Sequence, residues 1–514
     1  MFKRFMRPVI GVDMTHDAES APVASLSSAR GPPKRKSDAV AAPRPKKSAA
    51  PKAPLFTMDT VGDELSPNQV LPLEHILAGR NIFLTGRAGS GKSRVVHVLL
   101  KRLTEAGTPF AVTATTGIAA EPFHEYGAMT INSFACVKPR STLEACIKSA
   151  SYANSKKRIK APEVLVIDEV SMMSAELLET VLGVLDAIRR TKKIIFVFTG
   201  DLLQLAAVEG SPLLNSPAWK SLNLMTCVLT DNWRQKDQVD FQTVLDSARF
   251  GSLSDRDIRL LEGRVGVRLN SNGVKPTFLT ASRWKANDIN LAELKLLDTP
   301  EVVFTSECFY GRKDAATGVV VKAGDSLDVT STPQQTAFLS AQQMHHKADF
   351  LRMVGDAHRL TGMEPVLVLK IGAQVIITCN ISPPNVVNGS RGVVKAIDGN
   401  SVTVTLLSGH DVVVNPFDVT HPLPYERGAM LVYRQMPLKL AWALTIHKAQ
   451  GMSLDFAEID IGSDVFADGQ AYVALSRLRS LEGLSLKRFH PRAVRANAET
   501  VAWYRSLCPL SPIV

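Results

Sequence analysis

An α/β fold built on parallel strands is what the sequence predicts, and three strand-to-loop junctions predict it. Ile82-Phe83-Leu84-Thr85 is a short apolar run that passes into Gly86-Arg87-Ala88-Gly89-Ser90-Gly91-Lys92-Ser93. Arg94 to Leu100 follows with apolar residues at helical spacing. Val164-Leu165-Val166-Ile167, four apolar residues in a row, suits a central strand buried on both faces and ends in Asp168-Glu169. Ile194-Ile195-Phe196-Val197-Phe198 leads in the same way to Thr199-Gly200-Asp201-Leu202-Leu203-Gln204. Open α/β sheets collect their ligand chemistry at the carboxyl ends of strands, where all three junctions fall.

The first junction is a phosphate-binding loop. Its glycines let backbone N–H groups turn onto phosphate oxygens, and the following helix adds the positive field of its N-terminus. Lys92 is placed to neutralise the β- and γ-phosphates of ATP, and the Ser93 hydroxyl to ligate Mg²⁺. A chance match of this pattern in a chain of such length is on the order of a few per cent, before the flanking strand and helix are counted. At the second junction Asp168 would hold Mg²⁺ through its water shell and Glu169 would orient and deprotonate the attacking water. At the third, Gln204 could touch the γ-phosphate and report its loss. Between the last two, Ala175 to Arg190 reads as an amphipathic helix whose stripe is ordinary core packing.

Length, charge and cysteine usage bound what surrounds these junctions. The 514 residues allow about three to four domains, and 45% hydrophobic against 21% charged residues argues for folded cores. No apolar stretch approaches the roughly 18 residues of a membrane span, so no membrane partner is expected. The six cysteines include no C-x-x-C pair, which argues against a disulfide scaffold, a zinc site or an iron–sulfur cluster. Residues 1–58 hold eleven Lys/Arg against four Asp/Glu, so +7 of the net +11 lies there and the remainder is mildly basic. Rich in Ala, Pro, Ser and Lys, this segment reads as a disordered basic tail. Its clusters Lys34-Arg35-Lys36 and Arg44-Pro45-Lys46-Lys47 fit a nuclear import signal, with a DNA-touching arm as an alternative. The Arg-bearing start, Met1 to Arg7, keeps a mitochondrial presequence open despite Asp13, Asp17 and Glu19.

Beyond the ATPase junctions, further runs carry a resemblance. They include Val112-Thr113-Ala114-Thr115-Thr116-Gly117-Ile118-Ala119-Ala120, Thr130-Ile131-Asn132-Ser133-Phe134 and Leu229-Thr230-Asp231-Asn232-Trp233-Arg234-Gln235. Leu369 to Val375 and Val387 to Val393 follow. The most specific are Leu440-Ala441-Trp442-Ala443-Leu444-Thr445-Ile446-His447-Lys448-Ala449-Gln450-Gly451 and Gly469-Gln470-Ala471-Tyr472-Val473-Ala474-Leu475-Ser476-Arg477. In this order, from about Leu65 to Leu484, the blocks resemble a superfamily 1 DNA helicase of the RecD-like branch, nearest the PIF (petite integration frequency) family.

The resemblance implies two RecA-like P-loop domains with ATP in the cleft between them. The first would span 62–228, with a short wedge insertion near 121–129 where the duplex splits. The second would comprise 229–373 and 435–495, interrupted by a small β-barrel at 374–434. Short β-rich runs and turn signals such as Asp398-Gly399-Asn400 independently suggest that barrel. The family pattern implies catalytic roles for Lys92, Asp168, Glu169 and Gln204, with Arg234 and Arg477 reaching across the cleft to the transferring phosphoryl group. Gln69 resembles the family's adenine-reading glutamine, and Gln450 and Gly451 join Gly86 to Ser93 as nucleotide-binding positions. Thr116, Ser133, Phe134, Arg391, His447 and Lys448 would contact DNA. From the residues alone Phe134 and Trp233 equally suit core packing, His447-Lys448 a plain structured loop, and Arg391 the cap of a turn.

These features lead to an expected ATP-dependent DNA helicase moving 5′ to 3′ on single strands and unwinding forked duplex. Replication, recombination, repair or telomere work is the expected context, with a monomeric motor and replication or recombination proteins as possible partners. Two departures stand out: Leu205-Ala206-Ala207-Val208 occupies a place where the family usually has two prolines, and a Pro-Phe-Gly-Gly turn before the third junction is missing. They keep a translocase or protein-displacing motor in view, beside a non-catalytic subunit of a replication complex. No chemistry is assigned to 297–365. A small GTPase is excluded by the absence of a guanine-reading N-K-x-D pattern.

Overall fold

The computed structural model describes most of residues 54–507. Residues 1–53, 508–514, most of 314–362, 424–428 and several shorter stretches lie outside the described residues, and with them the basic clusters of the tail and Cys508.

Six strands form the first sheet: β1 (Ile82–Gly86), β2 (Phe110–Ala114), β3 (Met129–Thr130), β4 (Val164–Asp168), β5 (Ile195–Gly200) and β6 (Met225–Leu229). They are parallel throughout, in the order β3-β2-β4-β5-β1-β6. Unbroken apolar runs are what a strand covered on both faces needs, and β1 and β4 are buried along their whole length. The two-residue period splits them between two cores. Ile82, Leu84, Val164 and Val166 face one with Leu73, Val96 and Leu100, while Phe83, Leu165 and Ile167 face the other with Leu178, Val181 and Leu185. The latter three lie on the helix Ala175–Arg189, which Ser174 caps by accepting from the Leu177 N–H.

After Leu229 the chain runs through the helices Val239–Arg249 and Asp255–Glu262 into β7 (Thr277–Thr280), then makes a β-rich excursion. Its strands are β8 (Val302–Thr305), β9 (Glu307–Lys313), β10 (Val320–Lys322), β11 (Leu327–Asp328), β12 (Val366–Leu369), β13 (Gln374–Ile377), β14 (Arg391–Asp398), β15 (Ser401–Leu406), β16 (Asp411–Val414), β17 (Phe417–Pro422), β18 (Ala429–Gln435) and β19 (Leu438–Leu440). The chain returns in β20 (Ala443–Thr445), β21 (Ala457–Ile461) and β22 (Leu484–Phe489), which with β7 make a second parallel sheet ordered β20-β7-β21-β22. Its core combines Leu279, Ile459 and Leu486 with Val244 and Leu245 of the helix Val239–Arg249 and with the helix Gln470–Leu475.

The excursion differs from the expected single insertion at 374–434. One antiparallel sheet, β16-β15-β14-β13-β19, does lie within 374–440. A second, β10-β9-β18-β17 with β11 on β9, draws three of its five strands from the segment left without a role, 297–365. β9 pairs with β18, from Glu307 opposite Arg434 to Arg312 opposite Ala429, so the excursion begins near residue 302 and closes on itself through contacts over a hundred residues apart. At the other end of the chain, Phe56 is buried in the first core, so the folded part begins inside the stretch read as tail.

The last helix, Ala498–Leu507, follows the second sheet but packs on the first. Trp503 lies against Phe83 with ring centroids 6.0 Å apart. Tyr504 shares a hydrogen bond with Thr85 of β1 and accepts from the Leu202 N–H at 3.1 Å. Among the described residues no helix is long and apolar enough to cross a membrane.

Candidate active site and nucleic-acid interface

The carboxyl ends of β1, β4 and β5 open onto a cavity of about 540 Å³ between the two parallel sheets. Lys92, Ser93, Asp168, Glu169 and Gln204 line it from one side; Arg234, Gly451, Arg477 and Arg479 line it from the other. Of the expected nucleotide-site residues, Gly86, Arg87, Gln69 and Gln450 are not part of this lining; Gln69 reaches the Ser90 carbonyl and Gln450 the Glu169 carboxylate from behind it.

The phosphate loop is held in a shape only glycine allows at two points. Gly89 and Gly91 have φ of 82° and 88°. A Cβ on Gly89 would press on the Arg234 Cβ, and one on Gly91 on the Gln69 amide. Gly89 also accepts from the Trp233 N–H at 2.9 Å, which ties the loop to the segment that carries Arg234. Lys92 Nζ donates to the carbonyls of Gly86 and Arg87 at 2.9 and 3.1 Å. Burial moves the Lys92 pKa below the usual lysine value, against the pull of Asp201 and Glu169. Ser90 Oγ is buried without a hydrogen-bond partner among the described residues. Gln69 Nε2 reaches the Ser90 carbonyl at 3.5 Å while its Oε1 accepts from the Ser66 N–H at 3.2 Å. An ammonium resting on carbonyls and an orphaned hydroxyl are what a site for anionic phosphates looks like from the protein's side.

The two acids after β4 are placed differently. Asp168 is buried; Oδ1 accepts from the Thr199 hydroxyl and from the Glu169 N–H at 2.9 Å. Burial, and then the like charge of Glu169, pushes its pKa up to about 7. Glu169 takes a left-handed backbone with φ of 53°, an uncommon conformation for a residue other than glycine. That conformation is held from both domains. Thr115 Oγ1 donates to the Glu169 carbonyl at 2.9 Å, and Gln450 Nε2 donates to its carboxylate at 3.2 Å.

Across the cavity, Arg234 donates to the Ser476 carbonyl at 2.8 Å. Arg477 donates to the Val473 carbonyl and the Ser476 hydroxyl, both at 2.8 Å. Burial, and then Arg477, lowers the Arg234 pKa to about 9; burial lowers that of Arg477 as well. Among the described residues neither guanidinium is ion-paired with a carboxylate, so two cations, Arg477 buried and Arg234 half-buried, face the loop with neutral acceptors. Gln204 is buried beside them with its Oε1 unpartnered among the described residues.

A network that sequence reasoning missed lies beneath the loop. Arg249 binds Asp201 through two hydrogen bonds of 3.0 and 2.9 Å, both groups almost fully buried. Tyr472 accepts from the Ala88 N–H of the phosphate loop at 2.9 Å and donates to Asp201 at 3.1 Å. The Arg249 guanidinium lies 4.6 Å from the Tyr504 ring centroid. A carboxylate after β5 is thus joined, directly or through Arg249, to three helices that follow β6. The Gly-Asp junction before Gln204 was a signal for the first member; nothing local marked the others. Arg479, on the cavity wall, was missed as well.

The six residues expected on DNA fall into three groups. Thr116 and Ser133 are half-buried at the starts of the short helices Gly117–Ala120 and Ile131–Ala135, after β2 and β3. His447 and Lys448 are half-buried on the short helix Ile446–Ala449 after β20, with Lys448 Nζ 3.3 Å from Glu364. Phe134 and Arg391 stand apart from both. Phe134 is 1% exposed in the core beneath β1 and β4, so it is a packing residue. Arg391 is buried where β14 meets the second sheet and donates to the carbonyls of Lys275 and Phe456 at 2.9 and 3.2 Å; it fastens a seam. Trp233, by contrast, is 53% exposed on the rim of the nucleotide cavity. The Glu121–Tyr126 turn at the expected wedge is anchored by buried Phe123, and its His124 ring lies 6.1 Å from Phe417 of β17.

Comparison with known proteins follows the same lines. The sequence profile of an AAA domain matches residues 64–267. The ATP-dependent DNA helicase PIF1 of Homo sapiens is 33% identical over 477 residues, covering 89% of this chain and 67% of that protein. The ATP-dependent DNA helicase Pif1 of Bdellovibrio bacteriovorus is 29% identical, covering 86% and 92%. The crystal structure of Pif1 helicase from Candida albicans superposes with a TM-score of 0.67 at 28% identity, over 86% of this chain and 99% of that one. That of Bacteroides sp Pif1 in complex with ADP-AlF4 gives 0.64 at 23% identity and so shares the fold.

Proposed function

The chain belongs to the PIF1 family of ATP-dependent DNA helicases, and on that premise we propose how its own residues carry the activity. It is an ATP-dependent DNA helicase, a P-loop enzyme that binds nucleotide and DNA. We assign its movement the 5′-to-3′ direction on single strands, and its substrate as forked duplex with a single-stranded tail. The observation that carries the assignment of roles is the pair of arginines, half-buried Arg234 and buried Arg477, facing Lys92, Asp168 and Glu169 across one cavity with no carboxylate partner of their own among the described residues.

The residues fit Mg²⁺ bound together with a nucleotide. Asp168 is a buried carboxyl raised to about 7 by burial and its acidic neighbour, which a divalent cation would relieve. Ser93 lines the same cavity and supplies a hydroxyl. Two protein oxygens are what such a site offers when phosphates and water complete the shell. Held there, the ATP-bound Mg²⁺ would screen the negative charge of the transferring phosphoryl group. The rest of the work falls to the chain. Lys92 exchanges the Gly86 and Arg87 carbonyls for phosphate oxygens, and Glu169 takes the proton of the attacking water. Gln450 and Thr115 hold Glu169 in its left-handed conformation, so the base is aimed only when the two domains and the DNA-side loop after β2 are in register. Arg234 and Arg477 stabilise charge on the transferring group, worth about a thousandfold or more in rate. Because Arg477 follows the helix Gln470–Leu475, packed in the core of the second sheet, and Arg234 bonds to the Ser476 carbonyl beside it, hydrolysis reads domain closure. Gln69, fixed by Ser66 and Ser90, offers its amide to an adenine edge.

DNA backbone contacts are assigned to Thr116 and Ser133 on one side and His447 and Lys448 on the other, and the Glu121–Tyr126 turn to the point where strands part. We further propose a monomeric motor serving DNA replication, recombination, repair or telomere maintenance in the nucleus, with mitochondria the alternative. Unwinding of duplexes bearing a single 5′ or 3′ tail tests the mechanism. The 5′-tailed substrate should be opened and the 3′-tailed one left intact. The reverse preference refutes the assigned direction, and displacement of bound protein without strand separation would favour a translocase, the reading that Ala206-Ala207 keeps open.

A further inference from the structure

Two junctions of the first sheet meet the nucleotide: the phosphate loop after β1, which carries Lys92, and the turn after β5, which carries Gln204. β1 and β5 are neighbours, but their ladder ends with Thr85 opposite Gly200. Beyond that pair the loop and the turn leave the sheet, so strand pairing no longer sets the gap between them. Two tyrosine hydroxyls stand where the ladder stops.

The first belongs to Tyr472, buried on the helix Gln470–Leu475. It accepts from the Ala88 N–H of the loop at 2.9 Å and donates to Asp201, which opens the turn, at 3.1 Å. The second belongs to Tyr504, buried on the helix Ala498–Leu507. It accepts from the Leu202 N–H of the turn at 3.1 Å and shares a 2.5 Å hydrogen bond with Thr85, the residue before the loop. A buried tyrosine usually finds a partner for its hydroxyl; here each finds two, one on each junction. Asp201 carries the restraint onward, its carboxylate accepting from the Leu203 N–H at 3.2 Å and its carbonyl from the Gln204 N–H at 2.9 Å. Burial, and then the Asp201 charge, raises the pKa of both phenols, so each keeps the proton its bonds use. Arg249 braces the pair, bonded to Asp201 and with its guanidinium 4.6 Å from the Tyr504 ring centroid.

We propose that Tyr472 and Tyr504 are positioning residues of the nucleotide site, holding the phosphate loop and the Gln204 turn at the separation that hydrolysis requires. This rests on the roles assigned above to Lys92 and Gln204. Lys92 meets the phosphates from the loop and Gln204 meets the γ-phosphate from the turn. A slip between the two misaligns the groups around the transferring phosphoryl while the loop keeps its own grip on the nucleotide. Arg477 lies just beyond the end of the helix that carries Tyr472, so the Tyr472–Ala88 bond also seats that arginine against the loop.

Kinetics separates positioning from packing, because phenylalanine keeps the ring and removes only the hydroxyl. ATP hydrolysis at saturating single-stranded DNA and binding of a fluorescent ADP analogue would be measured for the full native chain, Tyr472→Phe and Tyr504→Phe. The thermal midpoint of each is taken alongside. Each variant should lower kcat by about 10- to 100-fold, the scale of a misplacement of up to about 1 Å at a reacting group. KM for ATP and the affinity for the ADP analogue should stay within about twofold, the pattern of an interaction that acts after binding. The two substitutions lie on separate helices, so either one that folds decides. A variant with native kcat, whatever its midpoint, reduces its tyrosine to packing and overturns the role. A loss of ADP affinity as large as the loss of kcat also overturns it, since the hydroxyls would then shape the loop alone. A native chain that neither binds the ADP analogue nor hydrolyses ATP with DNA overturns the nucleotide site itself, and the tyrosines' role with it.

Discussion

The nucleotide cleft and the DNA-side loops are built from neighbouring strand ends, but they hold their charges in opposite ways. In the cleft, half-buried Arg234 and buried Arg477 rest on neutral acceptors, and Lys92 rests on two carbonyls. On the DNA side, Lys448 is half-exposed and already paired with Glu364. There, burial works against the Glu364 charge, but Lys439 and Lys448 beside it outweigh that and hold its carboxyl below the ordinary range. The cleft is preorganised for an anion, whereas the loop we assign to DNA carries an internal substitute that a backbone phosphate would have to displace. Preorganisation suits a site that must stabilise a transition state. An exchangeable partner suits a contact that is made and broken at every step.

If the cleft is preorganised, its losses should be large and not repaired by charge alone. Arg477→Lys and Arg477→Ala should both lower DNA-stimulated ATP hydrolysis by about a thousandfold, since an ammonium lacks the planar fork that binds phosphate oxygens. Steady-state phosphate release measures this, and a Lys variant with near-native turnover would reduce Arg477 to a simple charge. The buried pair beneath the loop should be next. Arg249→Met leaves Asp201 uncompensated in a dry site and should destabilise the fold by about 3 to 5 kcal/mol. Urea unfolding measures it, and a cost below about 1 kcal/mol would show that water reaches Asp201.

The exchangeable side should respond more gently. Lys448→Ala should weaken single-stranded DNA binding and reduce the slope of log affinity against log salt by about one, a drop read from titrations across salt concentrations. Glu364→Gln should do the reverse and tighten binding. An exposed ion pair is worth about 0.2 to 1 kcal/mol, so the gain should stay below about fivefold and vanish at high salt. A Gln variant that binds more weakly would show that Glu364 orders the loop instead of competing with DNA.

The same contrast sets how much was legible in the sequence. The phosphate loop, the Asp168-Glu169 pair and Gln204 are written in consecutive residues at strand ends, where spacing alone fixes the geometry. Arg234 and Arg477 needed the resemblance, because only the fold brings them to Lys92. The Asp201–Arg249–Tyr472–Tyr504 network had no local signature; its members lie 48 to 271 residues apart along its hydrogen bonds, each an ordinary polar residue in its own segment. Arg391 and Phe134 were misread for the complementary reason. An arginine opening a strand looks the same whether it meets a phosphate or two carbonyls, and an aromatic after Ser133 looks the same in a core or on a platform. β9 to β11 escaped because they pair with one another and with β18, so the burial pattern that defines them is set by strands far along the chain. Phe56 was hidden by the Pro- and Lys-rich text around it.

Steady-state ATP hydrolysis with and without single-stranded DNA, for the native chain and Lys92→Ala, tests the central claim most directly. A rate that rises with DNA and is abolished by the substitution is the predicted result, since Glu169 is held by the DNA-side Thr115 and by Gln450 of the second domain. A folded native chain whose hydrolysis ignores DNA, or a Lys92→Ala variant that still responds to it, would contradict a motor whose catalytic base is aimed from both domains.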